Sequence, residues 1–137
     1  MSVFIISLIC VSPAQAVGVD RWEYSCAMTG LAPPDPTLDG WIKGAGLEGR
    51  FYWVNTGRFY AGTTIHMYGH WGIEWNDGSW ILGEHTGVWS LSNNRVNVRG
   101  VVTDASPIWS EMIGRNVHTV EFFDLQTMSI GGIFQIN

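Results

Sequence analysis

The sequence predicts an all-β fold, a small antiparallel barrel of about eight strands with one short helix. Three observations lead there. Apolar and polar residues alternate with period two over much of the chain, as in "RWEYSCAM" and "RVNVRGVVT". The 17 glycines and 8 tryptophans accompany many β-branched residues, the mixture of twisted strands and tight turns. Turn signals, Asn76-Asp77-Gly78-Ser79 and Asn93-Asn94 among them, separate the alternating runs. The 137 residues suit one domain.

In chain order, residues 1–16, "MSVFIISLICVSPAQA", read as a secretory signal. An apolar run from Val3 to Val11 precedes Ala14-Gln15-Ala16, a small-x-small cleavage pattern, although no Lys or Arg stands before the run. Cleavage after Ala16 leaves residues 17–137 as the barrel domain and implies a secreted or periplasmic location. The run is too short to cross a bilayer, so the chain is not expected to span a membrane. Cys10 falls within the signal, and Cys26 alone remains, expected as a small buried hydrophobe without a disulfide.

"RWEYSCAM" is the first strand, with Trp22, Tyr24, Cys26 and Met28 on one face. The Pro-rich "TGLAPPDPTLDG" is a loop, "WIKG" and "LEGRFYWVN" are short strands, and Asn55-Thr56-Gly57 is a turn. Phe59 to Trp75 reads as one strand of unusual length that Gly62, Gly69 or Gly72 must break, bulge or coil. "WILGEHTGVWSLS" returns after the 76–79 turn, and "RVNVRGVVT" follows with Val96, Val98, Gly100 and Val102 on one face. In "SPIWSEMIGR", Ser106 is a candidate cap, Pro107 suits a first helical position and Gly114 an end. "RNVHTVEFF" and "GGIFQIN" complete the strands.

The net charge of -5 and the scattered basic residues exclude recognition of nucleic acid through its phosphates. No nucleophile elbow is present. The chemistry-bearing residues collect instead between Gly62 and Trp89, which holds three of the four histidines and Glu74. If Trp75 faces Trp80 across the turn, His70 faces His85. If the next turn pairs Leu91 with Val96 and His85 with Val102, the buried valine face carries these residues inward. His66, Tyr68, His70, Glu74, His85 and Trp89 then face the interior, and His118 is a further candidate. A bulge at Gly69 or Gly72, or a three-residue turn at 76–78, would put the histidines on opposite faces.

An interior set of this kind supports three functions. A small, partly apolar ligand would be lined by Tyr68, Trp89, His66, His70 and His85. A divalent transition metal would be held by His66, His70, His85 and Glu74, or the same groups would act as acid and base. Cupins also set histidines and an acid on barrel strands, but one residue separates their paired histidines where three intervene here. Alternatively, Trp71, Trp75 and Trp80 form an outward aromatic patch through which the chain associates with itself or a partner.

The run "GEHTGVWSLSNNRVNVRGVVTDAS", with "GRNVHTVEFF" and the closing "GIFQIN", resembles small secreted barrels of the calycin or allene oxide cyclase-like kind. The resemblance implies a central cavity and carries over no catalytic residue.

Overall fold

Eight strands follow one another around a ring: β1 (Asp20–Met28), β2 (Leu38–Gly44), β3 (Leu47–Ala61), β4 (Thr64–Trp75), β5 (Trp80–Ser90), β6 (Arg95–Ala105), β7 (Asn116–Asp124) and β8 (Ser129–Ile136). Each pairs antiparallel with the next, and β8 returns to β1, so the barrel is closed and leaves no free edge. The computed structural model describes residues 20–137, and the expected leader, its cleavage point and Cys10 lie outside them. The predicted helix is a single 3₁₀ segment, Pro107–Met112, between β6 and β7.

The long strand expected from Phe59 to Trp75 is two strands. Gly62, at φ 61°, sits in a two-residue turn between the paired Ala61 and Thr64. β3 therefore runs through Asn55-Thr56-Gly57, which is a bulge in the β3–β4 pairing and not a turn. β4 itself keeps regular pairing through Gly69 and Gly72.

The turn after β4 has three residues, 76–78. Trp75 N–H donates to the Ser79 carbonyl at 2.8 Å, and Gly78 N–H donates to the Trp75 carbonyl at 2.9 Å. Gly78 takes φ 86°, the left-handed position that closes a three-residue hairpin loop. Asp77 Oδ1 braces the turn by accepting from the Ser79 amide and hydroxyl at 2.8 and 2.6 Å. Glu74 is consequently opposite Trp80, Gly69 opposite His85 and His70 opposite Glu84. This one-residue change from the expected register reverses which face of β4 is inside.

The next turn departs from expectation by two residues, which leaves the faces unchanged. Trp89 pairs with Val96 and His85 with Gly100. Val96, Val98 and Val102 are buried, as the valine pattern predicts.

The core is aromatic. Tyr24, Phe51, Trp53, Trp71 and Phe134 meet largely edge to face, with ring centroids 4.8 Å apart for Tyr24–Phe51, 4.9 Å for Phe51–Phe134 and 4.8 Å for Trp71–Phe134. Trp75 stacks obliquely on Trp22 at 5.5 Å and on Trp109 of the 3₁₀ segment at 6.0 Å. Trp71 and Trp75 are thus core residues and Trp80 is half-buried, so the expected outward tryptophan patch does not form. Cys26 is buried and its thiol donates to the Phe51 carbonyl at 3.3 Å.

The 3₁₀ segment plugs the end of the barrel that holds the β2–β3 and β4–β5 turns. Met112 points into the core, and Trp109 Nε1 donates to Ser79 Oγ at 2.9 Å. Ser106 does not cap the segment; its hydroxyl accepts from Trp80 N–H at 2.9 Å and lies 3.2 Å from the Trp80 carbonyl, stitching the plug to β5. The opposite end, where the β1–β2, β3–β4, β5–β6 and β7–β8 connections lie, has no such plug among the described residues and opens into a cavity.

Candidate ligand cavity

The cavity has a volume of about 560 Å³. Its walls are mostly apolar: Leu38, Trp53, Ile65, Met67, Trp89, Val96, Val98, Phe123 and Ile130. On β4 the inward residues are Ile65, Met67, Gly69, Trp71, Ile73 and Trp75, the odd-numbered set. On β5 they are Ile81, Gly83, His85, Gly87 and Trp89. The sequence-predicted residues therefore divide. His85 and Trp89 line the cavity, whereas His66, Tyr68, His70 and Glu74 stand on the outer wall because the 76–78 turn sets the opposite parity.

Each outer residue has its own surroundings. His66 stacks on Phe59 with centroids 4.6 Å apart and planes 7° from parallel. Tyr68 lies over Gly57, where the missing side chain makes room for its ring. His70 is opposite Glu84 across the β4–β5 ladder. Glu74 accepts from Arg50 Nη1 at 3.3 Å, and the same guanidinium holds Asp39 at 2.6 Å. His118 is also outward, between Arg99 and Gln135. Among the described residues no group of three His, Cys, Asp or Glu side chains gathers to hold a metal ion, so the expected His66, His70, His85 and Glu74 site is not formed.

The polar groups on the interior side include His85, Asn55, Thr119 and Glu121. His85 is 5% exposed, and its Nε2 donates to Asn55 Oδ1 at 2.9 Å. An amide oxygen can only accept, so Nε2 carries the proton and Nδ1 presents a lone pair. The ring also meets the Trp53 indole edge to face at 4.8 Å. Its lateral neighbours on β4 and β6 are Gly69 and Gly100. A Cβ at Gly69 would run into the Val54 carbonyl and one at Gly100 into the Glu84 carbonyl, so strand coiling at this level requires glycine on both sides of the histidine. Burial pushes the His85 imidazole down to about 4, with His70 a smaller contributor.

Glu121, which sequence reasoning did not single out, is 2% exposed. Thr119 Oγ1 donates to Glu121 Oε2 at 3.0 Å, and the Tyr24 hydroxyl is 3.3 Å from Thr119 Oγ1. Thr119 has one proton to give, so the chain of donation runs Tyr24 to Thr119 to Glu121. Gly132 lies between the paired Tyr24 and Glu121 on the interior face, and its lack of a side chain leaves the space this relay crosses. Burial raises the Glu121 carboxyl to about 8. At neutral pH the carboxyl is therefore mostly protonated and His85 is neutral, so the buried part of the cavity carries little charge, while Arg58 lines it from an exposed position.

Three further nitrogens on cavity-lining residues, Trp53 Nε1, Trp89 Nε1 and His85 Nδ1, are buried with no hydrogen-bond partner. An unpaired buried polar group costs about 1–3 kcal/mol, so such groups are where a bound molecule has most to supply. Trp22 Nε1 and Trp75 Nε1 are unpartnered too, at the plugged end.

No protein-family model matches the chain, and no curated protein matches it. In structure the chain is similar to a β-barrel-like protein from Acinetobacter baumannii AYE, with a TM-score of 0.55 and 14% identity over 90% of this chain and 99% of that one. At that identity the likeness is one of fold, and it shows that the chain has a β-barrel fold.

Proposed function

We propose that this chain is a binding protein whose cavity takes a small, largely apolar and uncharged molecule bearing a hydroxyl or carbonyl group. The observation that carries the reading is the cavity of about 560 Å³, apolar over most of its wall and polar at His85, Asn55 and Glu121. Volume and lining match those of small-molecule sites. Charge selects within that class. In the interior a neutral His85 and a protonated Glu121 offer a lone pair and an O–H but no counter-ion, and Arg58, which also lines the cavity, is exposed to solvent, so an anionic group carried inward would lose compensation. Eight strands in simple up-and-down order are also the arrangement of calycin-type ligand carriers, which supports the resemblance drawn from the sequence. Export to the periplasm or exterior belongs to the same proposal, resting on the leader-like residues 1–16.

The test is a matched pair of fluorophores, neutral N-phenylnaphthylamine and the anion anilinonaphthalene sulfonate. The neutral compound should bind with energy transfer from the cavity tryptophans, and the anion at least about tenfold more weakly. Gly87→Leu should block binding, because a side chain there grows toward Val98 and Met67. Equal binding of both compounds, or binding indifferent to Gly87→Leu, would refute the proposal.

One observation favours a second reading, an acid–base enzyme. A buried carboxyl held near 8 at the end of a Tyr24–Thr119 relay is suited to give and take a proton at neutral pH. On that reading Glu121→Gln abolishes turnover and leaves binding intact.

A further inference from the structure

We propose that the open end of the barrel docks on the surface of a lipid bilayer and presents the cavity mouth to the acyl chains. Exposed apolar side chains occupy every connection at that end. Met28 and Leu31 stand at the β1–β2 loop, Tyr60 beside the β3–β4 turn, Leu91 in the β5–β6 turn, and Leu125 and Met128 in the β7–β8 turn; all are exposed, Tyr60 to 65%. These groups encircle the mouth and do not form a patch to one side of it. Hydrogen bonds join neighbouring connections into a rim: Met28 N–H donates to the Met128 carbonyl and Leu91 N–H to the Thr63 carbonyl, both at 2.9 Å. Met28 and Leu31 also line the cavity, so the rim and the interior form one continuous apolar surface.

Charge and shape identify the occupant. The four open-end connections, residues 29–37, 62–63, 91–94 and 125–128, carry a single charged residue, Asp35, in a chain whose total is -5. The acidic excess is thus kept away from the rim, which removes the repulsion that a lipid surface would otherwise oppose to an acidic protein. A rigid protein partner would have to fit four separate projections around an opening. A fluid bilayer accommodates each projection singly, taking up leucine and methionine while the Tyr60 hydroxyl stays among the headgroups. The outer wall stops the chain from sinking further, because Glu74, Glu84 and Arg99 face outward, the reverse of a membrane-spanning barrel. The inference rests on the proposed apolar ligand in one respect: such a molecule is scarce in water, and a mouth pressed on a bilayer meets it where it is dissolved.

Flotation of the full chain with phosphatidylcholine vesicles, at low and at high salt, tests this. The protein should float with the vesicles at both salt concentrations, because the contact is apolar. Leu91→Glu and Leu125→Glu, both at exposed turn positions outside the cavity wall, should each lower the floated fraction by about tenfold, since transfer of one leucine side chain is worth roughly that factor. Binding of N-phenylnaphthylamine in vesicle-free solution should survive both substitutions. Failure of the native chain to float overturns the docking proposal even if the fluorophore binds. So does flotation that high salt abolishes or that neither substitution weakens, or a dimer broken by Leu91→Glu in a chain that ignores vesicles. Flotation without fluorophore binding would leave docking standing and remove the ligand-binding function.

Discussion

Replacing Glu121 with glutamine should flatten the neutral-to-alkaline limb of the stability–pH curve. The carboxyl sits near 8 in the folded chain against 4.5 for an ordinary glutamate, because burial disfavours its charged form. Below 4.5 it is protonated folded or unfolded and contributes no pH dependence. Between 4.5 and 8 the unfolded chain loses this proton while the folded chain keeps it, so stability falls as pH rises, by at most about 1.4 kcal/mol per pH unit. Above 8 both states are ionised and the loss is complete. His85 acts on the other limb: lowered from 6.5 to about 4, it is neutral in the folded chain, and its contribution is lost as pH falls through that interval. The two slopes oppose each other between 4.5 and 6.5, whereas from 6.5 to 8 Glu121 acts without His85. That window of about one and a half units yields roughly 2 kcal/mol. Glutamine keeps an oxygen to accept from Thr119, so the comparison isolates ionisation from packing. Urea unfolding followed by tryptophan fluorescence at the two ends of the window gives the values. The native chain should lose about 2 kcal/mol more than the variant across it. Parallel curves would mean that Glu121 ionises freely and that the cavity carries negative charge at neutral pH.

Other substitutions probe the packing. Trp71→Ala removes a fully buried indole that meets Phe51 and Phe134 and should destabilise by about 3–5 kcal/mol in chemical denaturation. Gly83→Ala places a Cβ against the Trp71 indole and the Val101 carbonyl and should unfold the chain at a distinctly lower temperature. Gly87→Ala, on the same face of β5, meets only ordinary contacts from 3.4 Å and should leave the melting temperature nearly unchanged. Arg50→Ala removes the exposed Asp39 and Glu74 contacts and should change unfolding free energy by less than about 1 kcal/mol, less still at high salt.

The barrel was legible in the sequence because strand number and class depend on alternation, which survives errors of register. The valine strand shows this: its turn is misjudged by two residues, and Val96, Val98 and Val102 are still inside with His85 and Trp89. The site was less legible because it depends on parity. One residue more or less in the 76–79 turn moves His66, Tyr68, His70 and Glu74 together from cavity to outer wall. The odd-numbered residues of β4, with Ile65, Trp71, Ile73 and Trp75, were the more apolar alternative, and hydrophobicity favoured them over the histidine face. The turn alone was chemically ambiguous, since Asp-Gly serves two-residue loops as well as the three-residue loop found here, with Gly78 at φ 86°.

Glu121 was hidden for a related reason. The two faces of β7 are nearly equal in apolar content: Val117, Thr119, Glu121 and Phe123 lie on one, His118, Val120 and Phe122 on the other. Periodicity cannot choose between them, and a carboxylate normally argues for the outside. The choice is made across the ladder, where buried Val98 pairs with Thr119 and buried Val96 with Glu121, so barrel closure draws the acid inward and leaves Phe122 64% exposed. A local signal was nevertheless present. Threonine and glutamate two residues apart share a strand face, where the hydroxyl can donate to the carboxylate and reduce the penalty of burying it. In a barrel this apolar, a Thr-x-Glu pair opposite two inward valines marks a polar group held in the cavity wall at an energetic cost, and the unpartnered nitrogens of Trp53, Trp89 and His85 on the same wall point to what would offset that cost: a bound molecule with a polar group of its own.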